Sequence, residues 1–337
     1  MKGATNMNKK TSWERLKAQV QARKALDVQL AHTVFSESMS SKDGYYEQED
    51  HIAELEELFM ESDILWLGSS SSFHNFAVEL TKAGRNHSAC VVLEKGLSIY
   101  PCCVDLLGDY LKYGVDDMNW EKCDKCYYTL KALDRSDWNW RAYSFSIDFL
   151  LEKRKRVTSV LDRRTLRTEV LRLAKDFVEK EGSDLAYFDL SNVYCELNRR
   201  FEEKATLELA ITKKCFSPRC SLRLADIEIS AGNYNQALDR LKICQTALKP
   251  QADINLAYVF LLKMLCKSSI FLNSILDDVS EKPSFEKDPS AIYKDYNSAI
   301  AIGLDGIMQK TAKSVIALIE SQTGIKNTMG QSDALGF

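Results

Sequence analysis

Ser70 to Pro101 reads SSSFHNFAVELTKAGRNHSACVVLEKGLSIYP, and its periodicity decides what kind of protein the chain makes. Phe73, Phe76, Ala77 and Leu80 recur at intervals of three and four, the spacing of one helix face. Ala83-Gly84-Arg85-Asn86 interrupts that stripe, Ala89, Val92, Leu93, Gly96 and Leu97 begin another, and Pro101 stops it. Gly84 suits the left-handed residue that ends a helix, while Ala89 and Gly96 are small enough for two backbones to approach where helices cross. The stretch is therefore a helical hairpin with an apolar stripe on each arm.

The pattern returns downstream. Leu106, Leu107, Tyr110 and Gly114 lead through what reads as an enlarged turn to Trp120, Cys123, Cys126, Leu130 and Leu133. A third pair starts at Asp137 with Trp140, Tyr143, Ser144 and Ile147 and returns through Leu166, Val170, Leu173, Ala174 and Phe177, across a connection expected to be long and basic. A fourth runs from Tyr187, Leu190, Ser191 and Tyr194 over Asn198-Arg-Arg200 to Ala205, Leu209 and Pro218. The fifth has Leu224 and Ala225, the turn Gly232-Asn233-Tyr234, then Ala237, Leu241, Cys244 and Pro250; Gly232 lies 34 positions after Asn198.

Composition agrees with a helical chain. Among 337 residues there are 14 glycines and 5 prolines, too few for the frequent turns of an all-β protein. The net charge of −3 gives no global attraction to nucleic acid or to an anionic membrane. The opening MKGATNMNKK is not followed by an apolar run, so no secretory signal is read there. The ten cysteines are accordingly expected to be reduced and the protein cytoplasmic. Ile254 to Leu276 is the most apolar stretch, but Asn255, Lys263, Lys267, Ser268, Ser269, Asn273 and Ser274 interrupt it, which suits a buried helix rather than a membrane span.

The large, small, glycine, alanine and proline positions of Ser70 to Pro101, and the later AGNYNQALDRL, resemble the tetratricopeptide repeat (TPR). The resemblance covers roughly 70–250 in degenerate copies; CCVDLLGDYLKYG and DWNWRAYSF are also similar to half-a-TPR repeats. It implies an all-α, right-handed superhelix of about five helix pairs with extra N- and C-terminal helices. The expected organisation is a disordered 1–10, an N-terminal helical cap over 11–67 with an acidic helix, repeats over 68–250, capping helices over 251–322 and a flexible tail over 323–337. Asp43 to Asp63 carries nine carboxylates and no Lys or Arg.

Most aromatic and small residues in such an array serve stacking between repeats. The resemblance places the binding surface on the first helix of each pair, and its register projects His74, Val78, Val104, Arg141, Phe145, Asp148, Phe188, Asn192, Leu222 and Asp226 inward. The carboxylate clamp of chaperone-binding TPR proteins uses lysines where this chain has His74, Val104, Phe188 and Leu222, and only Asn192 matches. His74, Arg141, Phe145, Asp148, Phe188, Asn192 and Asp226 are the candidate groove for a peptide segment or helix of another protein, with aromatics as anchors and polar groups setting register.

A second candidate surface is basic. Between residues 153 and 175, Lys153, Arg154, Lys155, Arg156, Arg163, Arg164, Arg167, Arg172 and Lys175 face only Asp162 and Glu169, a local net of +7. The run suits phosphates, or else a solvated face steered towards the acidic 43–63 segment; no aromatic interleaves it, so it offers no stacking platform of its own. Cys123-Asp-Lys-Cys126 has the spacing of half a zinc site, with Cys102 and Cys103 in the preceding region, but a second CxxC or CxxH is absent and small buried cysteines explain the pattern. His87 and Cys90 lie one helical turn apart without a third orienting group, and no P-loop, dinucleotide-glycine, HExxH or G-x-S-x-G motif occurs. The expectation is a non-enzymatic scaffold without cofactor or metal that binds another protein and no membrane. The competing readings are an RNA-binding or RNA-processing factor using the basic segment, and a helical sensor of a small peptide or nucleotide messenger.

Overall fold

The computed structural model describes residues 56–57, 69–213, 218–247, 254–277 and 289–327. The expected terminal segment 1–10, nearly all of the 11–67 cap with its acidic helix, most of the 280–289 linker and the tail from 328 lie outside the described residues. Thirteen α-helices and no strand occur among those described. The chain divides into two compact units, Met1–Phe177 and Val178–Phe337. That division falls inside the repeat array, where composition marks no linker.

In the first unit, α1 (Ser70–Lys82) and α2 (Asn86–Ile99) form the hairpin read from the sequence, followed by α3 (Val104–Asp116) with α4 (Trp120–Ala132). A short 3-10 turn at Arg135–Asp137 leads to α5 (Trp140–Arg156), and α6 (Val160–Glu181) follows and crosses into the second unit. Ser69 caps α1 by accepting from the Ser72 amide, and Asn139 caps α5 by accepting from Ala142. The first helices pack on one another, α1 on α3 and α3 on α5. Gly96 makes close approach possible: a Cβ there would sit 2.9 Å from Cγ of Phe73 and 3.1 Å from Leu106.

In the second unit, α7 (Asp184–Glu196) pairs with α8 (Arg200–Thr212), and α9 (Pro218–Ser230) with α10 (Tyr234–Ala247). Then come α11 (Ile254–Asp277), α12 (Ser290–Ile302) and α13 (Gly306–Thr323). Leu256–Asn273 within α11 is long and apolar enough by composition to cross a membrane. Its residues are nonetheless shared between two cores: Val259, Leu262 and Cys266 pack with Ala225, Ala237 and Leu241, while Leu261, Met264 and Phe271 pack with Ile292, Ala312 and Ile316.

The turns repeat in atomic detail. Gly84, Met118, Asn198 and Gly232 all have positive φ, at 74°, 60°, 56° and 78°. In each case the next amide donates to a carbonyl five residues back: Arg85 to Leu80, Asn119 to Gly114, Arg199 to Tyr194 and Asn233 to Glu228, all at 2.8 Å. This is the Schellman closure, which satisfies carbonyls the helix end leaves over. Gly84 and Met118 are 34 positions apart, as are Asn198 and Gly232. The second turn is therefore as tight as the first, not enlarged: α3 runs past Gly114 to Asp116, and Met118 adopts the conformation that glycine takes elsewhere. The third connection also differs from expectation, since only residues 157–159 separate α5 from α6 and Lys153 to Arg156 form the last turn of α5. Cations there complement the negative end of the helix dipole.

Candidate functional site

A depression of the second unit lies over α7, α9 and α11. Ser183 caps α7 by accepting from the Ala186 amide, which fixes where the helix starts. Tyr187, Leu190 and Val193 then point into the core and leave Phe188 half-buried on another face. Pro218 opens α9, where its missing N–H costs nothing. Leu224 and Ala225 are fully buried, so Leu222, Arg223 and Asp226 emerge beside Phe188. Together with Pro218, Arg219, Cys244 and Val259 these side chains line a groove of about 530 Å³, within the range of small-ligand and peptide-side-chain sites.

Val259 and Cys244 make an apolar floor. The Cys244 thiol donates to the Pro218 carbonyl at 3.5 Å, and burial pushes it up to about 12, so it stays protonated and inert. Tyr258 donates to Oδ1 of Asp226 at 3.3 Å. Burial nevertheless holds the Asp226 carboxyl above the usual range, the effect of Tyr258 and Arg223 being the smaller one. Arg223 is anchored from behind: its Nε and Nη2 lie 3.1 and 2.9 Å from Oε1 of Glu203, a fully buried carboxylate whose other oxygen takes Arg200 at 2.8 Å. Arg219 at the rim has no ion-pair partner among the described residues. The groove thus offers an apolar trough, one immobilised guanidinium, one carboxylate under pressure to receive a donor, and one uncommitted cation.

Of the groove residues expected from the sequence, Phe188 and Asp226 line this depression, as does Leu222 from the wider register. Asn192 is half-buried one turn after Phe188 on α7 but is not part of the lining. The other four belong to the first unit, where each is engaged. Nδ1 of His74 bonds Oδ2 of Asp109, a carboxylate with 1 % of its side chain exposed. Arg141 donates to Asp105 at 3.0 Å with its guanidinium 5.0 Å from the Trp140 ring. Phe145 meets that same ring edge-on at 5.9 Å, and Asp148 lies 3.8 Å from Lys112. Sequence reasoning missed Arg219, Arg223, Cys244 and Val259 as groove residues. Arg223 carries a signal, being next to Leu222 in the same register, whereas Val259 lies beyond the repeat span and only tertiary packing brings it in.

The remaining candidates resolve simply. Cys123 and Cys126 are buried with thiols pushed up to about 12 by burial, Cys103 is half-buried and Cys102 exposed, and no group of three metal-ligating side chains exists among the described residues. His87 bonds Asp117 at 3.1 Å rather than Cys90, which is buried. In the basic segment, Lys153 pairs with Asp124, Lys155 with Glu152 at 2.8 Å, and Arg156 lies 4.3 Å over the Trp120 ring. Arg163, Arg164, Arg167 and Arg172 stand exposed along α6.

No protein-family model matches the chain, and no curated protein matches it. Among solved structures it is similar to TTC0263, a thermophilic TPR protein of Thermus thermophilus, at 17% identity and TM-score 0.46 over 60% of this chain and 99% of that one. It is similar to a tetratricopeptide repeat protein from Parabacteroides merdae at 12% identity and TM-score 0.48, over 93% and 98%. It is also similar to human IFIT1, solved as a dimer with m7Gppp-AAAA, at 13% identity and TM-score 0.43, over 91% and 71%. The repeating hairpins and their shared turn closure are TPR-like in the chain's own geometry.

Proposed function

We propose that this TPR-like helical repeat is a non-enzymatic, cytoplasmic scaffold whose second unit holds a peptide segment of a partner protein. The observation that carries the reading is the groove over α7, α9 and α11, in which Phe188, Leu222 and Val259 stand beside a fixed Arg223 and the carboxyl of Asp226. An apolar side chain of the ligand fills the trough, backbone N–H groups donate to Asp226, and a flanking carboxylate reaches Arg219. Most of the cysteines among the described residues sit as small buried side chains between helices, a use of free thiols that suits a reducing compartment.

Burying the remaining exposed part of the half-buried Phe188 under a ligand contributes about 1 kcal/mol, so its loss weakens binding by roughly fivefold. Selection of peptides from a random display library against the purified full chain, followed by anisotropy titration, tests the reading. Phe188→Ala/Leu222→Ser is expected to lose the selected peptides while retaining helicity by circular dichroism. Equal affinity of parent and double variant for those peptides overturns the groove assignment.

A further inference from the structure

The nine cations between 153 and 175 divide into two halves with different duties. Those at the end of α5 are occupied: Lys153 by Asp124 and the Phe149 ring, Lys155 by Glu152, Arg156 by the Trp120 ring. On α6, Arg164, Arg167 and Arg172 are exposed and their side chains make no hydrogen bond or ion pair among the described residues. Arg172 already acts electrostatically on Glu169, whereas Arg164 and Arg167, one turn apart, repel each other unless an anion meets them.

Two of the three, Arg164 and Arg172, also line a shallow surface. Leu161, Arg164, Thr165, Thr168 and Arg172 recur at three- and four-residue intervals on α6 and, with Lys131 of α4, border an open groove of about 490 Å³. Arg164 and Arg172 are two turns apart, about 12 Å along the axis, so the groove presents positive charge repeatedly along a line rather than at a point. Its one carboxylate, Glu169, is engaged by Lys131 and by the Tyr127 hydroxyl at 2.8 Å. Guanidiniums grip phosphate with parallel N–H donors, whereas the Thr165 and Thr168 hydroxyls donate to the Leu161 and Arg164 carbonyls of their own helix at 3.1 Å, so the guanidiniums are the groove's donors. Two apolar surfaces flank the cations: Leu161, 72 % exposed, at the start of α6, and Tyr128, 61 % exposed, one turn before Lys131 on α4. The basic run contains no aromatic of its own; the fold supplies one from the neighbouring helix.

We infer that this groove binds single-stranded nucleic acid, its phosphodiester backbone along Arg164 and Arg172 and its bases against Tyr128 and Leu161. Charge complementarity, a linear array of donors and an adjacent exposed ring together favour a polynucleotide over an acidic peptide. The site is in the first unit and is independent of the peptide groove.

The experiment is anisotropy of fluorescein-labelled 12-nucleotide RNA and DNA of one sequence with the full chain, titrated between 50 and 200 mM KCl. Binding is expected to weaken with salt along a log–log slope of about −1.4, the value for two phosphate contacts to a single strand. Arg164→Ala/Arg172→Ala should weaken binding at least tenfold and flatten the slope by more than one, while Lys155→Ala changes affinity less than twofold. Tyr128→Ala should weaken binding with the slope unchanged, the signature of stacking rather than charge. Preference for RNA or for DNA distinguishes the two sources of the same backbone chemistry, and either supports the site. No binding at 50 mM KCl, equal binding by the double arginine variant, or displacement by poly-glutamate at lower concentration than by unlabelled oligonucleotide overturns it.

Discussion

Met118 and Asn198 hold left-handed backbone at positions that glycine fills in the other two Schellman turns. Asn tolerates this geometry through its short polar side chain; Met does not, at a cost of roughly 1–2 kcal/mol. Met118→Gly removes that strain, partly offset by about 0.5–1 kcal/mol of unfolded-state entropy, and should raise the melting temperature by a few degrees. A lower melting temperature would mean that the Met118 contact with Arg156 outweighs the strain. His74 is the converse case. Its register marks it as a free groove residue, yet it is the hydrogen-bond partner of the buried Asp109, so His74→Ala should cost about 1–3 kcal/mol in chemical denaturation. For Asp226, a folded-state carboxyl held above its ordinary value favours the folded state at low pH and loses that advantage as pH rises through the folded value. Asp226→Asn should therefore be more stable than the parent at pH 7, with the difference closing as pH falls below about 4, the ordinary aspartate value. A gap independent of pH would show that the carboxylate charge is not its origin.

At the scale of elements, the decisive quantity is how closely one helix lies on the next. A Cβ at Gly114 would sit 2.6 Å from Sγ of Cys123, inside the α3–α4 crossing. Gly114→Ala should accordingly destabilise by about 1–3 kcal/mol through overpacking, despite the helix propensity it gains, and Cys123→Ala in the same chain should relieve it. Lack of coupling between the two sites in that double-mutant cycle would place the steric conflict elsewhere. The α8–α9 contact is held differently, by Glu203 between Arg200 and Arg223. Because that carboxylate is wholly buried, it also anchors Arg223 beside the groove, so the groove's shape depends on a charge outside its lining.

Across the whole molecule, thiol chemistry offers a common reporter. Cys90, Cys123, Cys126, Cys244 and Cys266 are buried in both units with thiols pushed up to about 12, whereas Cys102 is exposed. Native labelling with an alkylating reagent and peptide mapping should find Cys102 modified first and these five only at the rate of unfolding. Rapid labelling of Cys244 would show that the floor of the groove opens.

The sequence by itself determined the helical hairpins of 70–250, because a 3.6-residue period, small residues at crossings and punctuation at Gly84, Asn198 and Gly232 are local properties of the chain. It also pointed to Phe188, Leu222 and Asp226, since a repeat register carries over from one hairpin to the next. It left Met118 unread, because a methionine in a glycine role leaves no mark in composition. Tertiary structure alone decided which charges are spent: His74, Lys153 and Arg156 are consumed by Asp109, Asp124 and Trp120, while Arg164 and Arg167 stand exposed without a hydrogen bond or ion pair from their side chains among the described residues. It alone joined Val259 to Phe188, and Lys131 to Arg164 and Arg172. The physical reason is range: helix periodicity acts over a few residues and is written in them, whereas burial and ion pairing depend on partners roughly 30 to 70 positions away, whose identity only packing selects.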